Sequence, residues 1–238
     1  NTGYEGLPYL VNRYSVSYAY SSSLIWGRSG RLKRGGKLYA FSPAYGDEAS
    51  GILTGAEKEI ESLLRSFRGS GFTGTLATET RFRQAAVNPA LFHLAMHLVT
   101  DSLDSEYSFL AFDREKESIE DGRLYNYEIS LMKMNSPMVV LSACNSGSGT
   151  LYHGEGVMSM ARGFLLAGAS SVVKTSWEVN DETSAGIMIR FYRNLSKGMY
   201  KSDALRQAKL SHLEESIPAL SDPWYWAAYE VLGDNSPV

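Results

Sequence analysis

The single cysteine of the chain, Cys144, stands where an apolar run ends and a glycine-rich segment begins. Residues 137–143 have the length and composition of a buried strand. In open α/β sheets, ligands bind at the carboxyl ends of the strands, because loops and helix N-termini converge there. A lone cysteine is more often a small core hydrophobe, but the neighbours Asn145, Ser146 and Gly147 favour an accessible thiol. The sequence therefore predicts a reactive cysteine.

A second group that could do chemistry is His97, which ends the apolar run 91–96 and precedes the polar residue Thr100 by three positions. A free thiol has a pKa of about 8.5, so a cysteine nucleophile needs a base or a cation beside it. Neighbouring parallel strands lie about 4.8 Å apart, which lets side chains at two adjacent strand ends approach each other. We therefore predict that His97 is the base for Cys144.

The other histidines have weaker claims to act as that base. His93 shares a face with His97 by strand parity but lies deeper in the run, which predicts a hydrogen-bonded core histidine. His153 lies in the predicted loop 145–156 and is the best substitute base. His212 lies on a predicted late helix and is expected at the surface.

Signatures of other chemistries are missing from the sequence. It contains no phosphate-binding G-x-x-x-x-G-K-[ST] loop, no H-E-x-x-H zinc helix and no G-x-S-x-G nucleophile elbow. Residues 147–152 begin like a dinucleotide-binding loop, but Tyr152 stands where the third glycine belongs. One cysteine cannot form an intrachain disulfide or a cysteine-based zinc site. No metal or organic cofactor is expected.

The composition narrows the classes of partner. The 238 residues, of which 44% are hydrophobic, are enough for one large α/β domain. The net charge is -3 without a long acidic or basic block, so nucleic acid is not an expected partner. No apolar run approaches the roughly 18 to 20 residues that cross a bilayer, so no membrane contact is expected. The first residue is Asn and no signal peptide is visible, so we expect a cytoplasmic piece of a longer protein.

The elements that must position these residues follow a regular order. Strand-length apolar runs alternate with longer segments of helical period, which predicts one α/β domain with a mostly parallel sheet and helices on both faces. The predicted strands are residues 16–20, 37–42, 91–96, 108–112, 137–142 and 171–175. The predicted helices are residues 56–68, 79–86, 156–167, 181–196 and 202–215. This order places His97 and Cys144 after strands of the same sheet.

Successive blocks of the sequence resemble the CHAT domain, a caspase-like module usually found behind tetratricopeptide repeats. The two most specific blocks are FHLAMH at residues 92–97 and VLSACNSG at residues 140–147. The remaining blocks occur in the order of the family at residues 7–10, 16–19, 154–156, 162–169, 176–181 and 223–227. The resemblance runs through nearly the whole chain and implies a single CHAT protease domain over residues 1–238.

This resemblance implies a caspase-like three-layer α/β sandwich and a cysteine endopeptidase of the caspase and separase clan. His97 and Cys144 would be its catalytic dyad, and their separation of 47 residues fits the roughly 50 residues found in caspases. The family commonly has glycine after the histidine, where this chain has Leu98. A side chain there would narrow the cleft, but the backbone N–H groups of Leu98 and Cys144 would still hold the oxyanion.

Substrate specificity is expected in residues 177–181, just after the predicted strand 171–175 and on the same edge of the sheet. The stretch is similar to separases in its Trp-acid-Val-x-Asp pattern, and in separases an Asp in this region receives a basic side chain of the substrate. By that resemblance Asp181 is the candidate and Glu178 the reserve. The alternative is that Asp181 caps the helix that follows, a role worth about 1 kcal/mol without any substrate.

Two further hypotheses compete with a protease. One is a non-catalytic CHAT-like scaffold that works by binding a partner, and Leu98 is its support in the sequence. The other is a small-molecule binding domain of flavodoxin type, which does not explain why the cysteine and a histidine both follow strands. For the protease, the expected partners are a protein substrate and a regulatory partner or an N-terminal repeat domain that activates a latent chain. The mobile element would be the loop 145–156, because its glycines make it costly to order.

Overall fold

The computed structural model describes residues 4, 6–21, 36–44, 54–116, 118–142 and 153–238. A six-stranded sheet with the order β2-β1-β3-β7-β8-β9 runs through the centre of these residues. All neighbouring pairs in it are parallel except β8 and β9. Its strands are β1 (Lys37–Ser42), β2 (Gly69–Thr73), β3 (Ala90–Leu94), β7 (Val139–Leu141), β8 (Ser171–Thr175) and β9 (Tyr229–Gly233). The predicted mostly parallel sheet is confirmed.

Helices cover both faces of this sheet, as the alternation of the sequence predicts. They are α1 (Thr54–Ser66), α2 (Glu79–Ala86), α3 (Asn126–Leu131), α4 (His153–Ala167), α5 (Asp181–Ser196), α6 (Lys201–Glu215) and α7 (Pro223–Trp226). One apolar core joins the sheet to α2, α3 and α4, and the other joins it to α1, α5 and α6. The sheet is therefore buried from both sides, which explains why its central strands read as continuous apolar runs.

The central strands divide their side chains between these two cores by simple alternation. In β3, Leu91 packs into the core formed with α1, α5 and α6, whereas Phe92 and Leu94 pack into the opposite core. In the neighbouring strand β7, Val140 packs into the same core as Leu91, and Val139 packs into the same core as Phe92. Both strands are fully buried, so they form the rigid middle of the sheet.

A second, smaller sheet of three antiparallel strands lies against the first core. Its order is β4-β5-β6, with β4 at Leu98–Val99, β5 at Phe109–Ala111 and β6 at Arg123–Tyr125. Leu98, Leu110 and Leu124 stand opposite one another in register and are at most 2% exposed. This row of leucines joins the small sheet to the core and fixes the chain immediately after His97.

Several sequence-based boundaries were wrong. Residues 16–20 do not form a strand, and only Tyr18 makes a β-bridge, to Leu232. The predicted strand 108–112 belongs to the small sheet and not to the central one. The structure also contains β2, β4, β6, β9 and α3, which the sequence did not indicate. β2 has a single large apolar residue and β6 is only 3 residues long, so neither shows a hydrophobic period and their pairing depends on tertiary contacts.

Among the described residues, no helix combines the length and the apolar character that a membrane span requires.

Candidate active site

The candidate site lies at the carboxyl ends of three neighbouring parallel strands. Leu94 of β3, Leu141 of β7 and Lys174 of β8 form one row across the sheet. The backbone N–H of Ser142 continues this pairing by donating to the Leu94 carbonyl oxygen at 3.0 Å. Segments that leave these strands therefore emerge side by side at one edge, where the sequence predicts the site.

The structure holds His97 at that edge, three residues beyond Leu94. The residue is half-buried, and its carbonyl oxygen accepts a hydrogen bond of 2.9 Å from the backbone N–H of Ala111 in β5. The bond fixes the backbone of His97 between the two sheets. Cys144 lies outside the described residues, and it follows Leu141 by the same three positions.

The backbone N–H of Leu98, next to His97, does not donate to the neighbouring strand β5. The bond between Ala111 and His97 makes Leu98 and Leu110 a non-hydrogen-bonded pair of the antiparallel ladder. In such a pair, each N–H points away from the partner strand, so β5 does not use the Leu98 N–H. The Leu98 side chain is 2% exposed and packs in the core, where it does not fill the space outside the strand end.

His93 is a buried, hydrogen-bonded core histidine, as the sequence predicts. It is fully buried, and its Nδ1 lies 3.2 Å from the hydroxyl of Tyr192 on α5. Its Nε2 lies 3.1 Å from Oε1 of buried Glu59 on α1, though the two are not aligned as a hydrogen bond. Burial raises the pKa of Tyr192 well above its usual range, so the hydroxyl stays protonated. The ring of His93 is therefore enclosed between two polar side chains, one from α1 and one from α5.

A buried hydroxyl network anchors the strand that leads to the cysteine, and no pattern in the sequence indicates it. The hydroxyl of Tyr229 in β9 lies 3.2 Å from Oγ of Ser142, directly after β7. The same hydroxyl also contacts Oγ of Ser184 near the start of α5. All three residues are buried. The network therefore ties the ends of three elements together beneath the candidate site, and only tertiary pairing brings its members into contact.

The segment after β8 forms one wall of the edge. Trp177 donates from Nε1 to the carbonyl oxygen of Trp224 at 2.9 Å, and the two indole rings stack with centroids 6.0 Å apart. Glu178 is exposed. The N-cap of α5 is Asn180, whose side chain accepts from the backbone N–H groups of the second and third helical residues. Asp181 is the first helical residue, so the expectation that Asp181 caps the helix was wrong.

Two other histidine assignments change with the structure. His153 begins helix α4 and does not lie in a loop, because the helix starts three residues earlier than its sequence pattern indicates. His212 is 6% exposed, and its Nε2 lies 3.0 Å from the carbonyl oxygen of Leu220. The prediction of a surface position for His212 was wrong because the chain after α6 folds back over that helix.

Glu79, Glu120 and Glu128 form a group of carboxylates that could in principle bind a metal ion. Arg83 already lies among them, 2.7 Å from both Glu79 and Glu128 and 3.4 Å from Glu120. Its guanidinium supplies the positive charge that an ion would bring. Burial raises the pKa of Glu79 to about 7 despite this partner. We therefore regard the group as a structural ion-pair cluster.

Comparison with known families agrees with this architecture. The family model of the CHAT domain matches residues 2–234, so the chain belongs to the CHAT family. Human tetratricopeptide repeat protein 28 is 24% identical over 222 residues, which are 79% of this chain and 9% of the human protein. The mouse protein of the same name is 30% identical over 110 residues, 44% of this chain and 4% of the mouse protein. The chain thus spans less than a tenth of these relatives.

Solved structures with a similar fold include gingipain R and a separase–securin complex. Gingipain R, an Arg-specific cysteine proteinase, superposes with a TM-score of 0.54 at 10% identity, covering 85% of this chain and 47% of that one. The separase–securin complex of Saccharomyces cerevisiae gives a TM-score of 0.54 at 13% identity, covering 84% of this chain and 12% of that one. Both likenesses establish the fold, and the predicted caspase-like α/β sandwich is confirmed.

Proposed function

We propose that the chain is a cysteine endopeptidase domain in which His97 and Cys144 act as a catalytic dyad. One observation carries the proposal. His97 and Cys144 each follow, by three residues, two positions that pair directly across the central sheet, Leu94 and Leu141. Two segments of equal length leaving adjacent parallel strands favour a close approach of their side chains. Membership of the CHAT family and the caspase-like fold are consistent with it.

The proposed chemistry is acyl transfer from a peptide to water. His97 takes the thiol proton of Cys144, and the sulfur attacks the scissile carbonyl carbon. The backbone N–H groups of Leu98 and Cys144 stabilise the oxyanion, each worth roughly 3 kcal/mol in the transition state. The C–N bond then breaks, and His97 gives its proton to the leaving amine. Water activated by His97 hydrolyses the thioester and returns the thiol. None of these steps uses a metal or an organic cofactor.

We propose that Asp181 binds a basic substrate side chain, with Glu178 as the alternative. Asn180 already caps α5, so the carboxylate of Asp181 is not needed for that purpose. Glu178 is exposed on the segment that leaves β8, the strand next to β7. An acidic group at this edge would select substrates through charge as well as hydrogen bonding.

We also propose that residues 1–238 form one protease domain of a longer cytoplasmic protein and are controlled by another segment. The matched relatives are named for tetratricopeptide repeats and are more than ten times longer than the matched region. A repeat domain or a separate partner would then switch on a latent chain. Full activity of the isolated chain would contradict this regulation.

An activity-based probe tests the dyad directly. A short peptide with a basic C-terminal residue and an acyloxymethyl ketone should alkylate Cys144 covalently, and mass spectrometry identifies the modified residue. His97→Ala should slow the labelling at least about 100-fold, because general base catalysis contributes roughly that much. His153→Ala is the matched control and should label at the normal rate. A non-catalytic scaffold predicts the same slow labelling for all of these variants.

A further inference from the structure

A row of aromatic side chains covers the outer surface of the small sheet. Val99, Phe109 and Tyr125 stand in register on the side opposite the leucine row. The ring of Tyr125 packs against Phe109 with centroids 5.3 Å apart and stacks on Tyr127 at 5.5 Å. Tyr107 extends the row by contacting Tyr127 at 5.9 Å. We call Val99, Tyr107, Phe109, Tyr125 and Tyr127 the aromatic face.

Much of the aromatic face is exposed to solvent. Tyr107 is 57% exposed, and Tyr127 and Val99 are each 40% exposed. Leu131, one helical turn after Tyr127 on α3, is 79% exposed and extends the apolar surface. Contiguous aromatic surface of this kind typically marks an interaction site, whereas scattered exposed hydrophobic residues do not.

The segment that carries most of this face is acidic. Residues 101–131 contain nine Asp or Glu and three Lys or Arg, a net charge of -6, whereas the whole chain has a net charge of -3. The remaining residues therefore carry a net positive charge, and the acidity is concentrated here. Desolvation raises the pKa of Tyr127, and the negative charges of Glu128 and Asp121 raise it further.

One cationic side chain of the protein itself packs on this face. The guanidinium of Arg123 lies over the ring of Phe109, 5.3 Å from its centroid. The exposed tyrosines present the same kind of π-surface, which attracts positive charge. Exposed carboxylates at Asp104, Glu106 and Asp121 add long-range attraction for a basic partner and repel an acidic one.

We propose that the aromatic face binds a Lys- and Arg-rich segment of a partner protein, whose cationic side chains stack on the tyrosines within the acidic rim. The bond from Ala111 to the His97 carbonyl oxygen joins this sheet to the candidate active site. A protein held on the face would therefore lie beside His97. The binding does not depend on cleavage, so it goes beyond the proposed peptidase activity.

Fluorescence anisotropy with a labelled peptide of alternating arginine and glycine tests the proposal. The full chain carrying Cys144→Ala is used, so that binding is measured without cleavage. We expect saturable binding that weakens as salt is added, and a matched glutamate–glycine peptide should not bind. The double variant Tyr107→Ala/Tyr127→Ala should weaken binding about fivefold or more.

A second variant pair separates the acidic rim from the rings. Asp104→Asn/Asp121→Asn removes two charges but retains the side-chain oxygens that accept from the backbone N–H groups of Glu106 and Arg123. It should also weaken binding several-fold. The exposed residue Tyr200 supplies the control, because Tyr200→Ala should bind normally. Absent binding, unchanged binding by both variant pairs, or equal binding of the glutamate peptide would each overturn the proposal.

Discussion

His93 and His97 lie four residues apart in the same segment and have different environments. His93 is enclosed between Glu59 and Tyr192 in a core of the protein. His97 stands just past the last residue of β3, half-buried, with its backbone held by the small sheet. Strand parity alone groups the two residues together. The end of β3 at Leu94 separates them, because His93 lies inside the strand between the two cores and His97 lies beyond it and is half-buried.

This difference teaches how a histidine at a strand end becomes available for chemistry. A buried imidazole that is matched to a carboxylate and a hydroxyl contributes to the fold, and removing it leaves charge or polarity without a partner. A histidine beyond the strand end has its backbone held by the small sheet, and its half-buried ring lies at the carboxyl edge of the parallel strands, where ligands bind in open α/β folds. The predictions below compare the two positions.

The largest expected effect is on catalysis. Cys144→Ala and His97→Ala should each lower kcat/KM for a protein substrate at least about 1,000-fold, because nucleophile and base act as a unit. Both variants should retain the melting temperature of the wild type. His153→Ala should stay within about threefold of wild-type activity. Retained activity in His97→Ala together with loss in His153→Ala would reverse the assignment of the base.

The opposite pattern is expected at the buried position. His93→Leu should lower the free energy of unfolding by about 2 kcal/mol, because buried Glu59 and Tyr192 then lose their polar neighbour. The double variant His93→Leu/Glu59→Leu should recover part of that loss, since replacing both members of a buried polar pair by apolar groups can be nearly neutral. Urea denaturation measures both. A His93→Leu variant as stable as the wild type would show that the pair does not stabilise the fold.

The buried carboxylate Glu79 should make stability depend on pH. Its folded pKa of about 7 lies above its usual value of 4.5, so the folded state binds more protons than the unfolded state between these values. Stability contributed by this group is thus present below about pH 4.5 and is lost as the pH rises through about 7. The loss should be on the order of 2 kcal/mol. Glu79→Gln should flatten this part of the pH profile of thermal unfolding, and Glu214→Gln, at an exposed residue outside this cluster, is the control.

The smallest effect concerns specificity at the edge beside His97. Asp181→Asn should reduce the preference for a basic residue before the cut bond about tenfold, because a charge-assisted hydrogen bond is lost. Asn180 still caps α5, so stability should not change. A peptide library read by mass spectrometry measures the preference. If it survives in both Asp181→Asn and Glu178→Gln, neither carboxylate forms the pocket, and Glu182→Gln controls for general charge.

The buried strands and strongly periodic helices could be predicted from the sequence. β1, β8, α2 and α5 have the predicted bounds, because their apolar periods agree with the burial that the fold gives them. The hydrogen-bonded core environment of His93 was also predictable, since it lies inside a continuous apolar run. The burial of His212 was not, because residues after α6 cover a helix face that has little amphipathic pattern of its own.

The sequence by itself determined the α/β class, the family and the two residues assigned to chemistry, because strand-length apolar runs and motif order are local properties of the chain. Only the tertiary structure decided which strands are neighbours, so only it aligned Leu94 with Leu141. It also decided that the Leu98 N–H is unused by the small sheet and that Tyr229 supports the end of β7. These features join segments far apart in sequence, and their pairing follows from the burial of the whole sheet between two cores and not from any single segment.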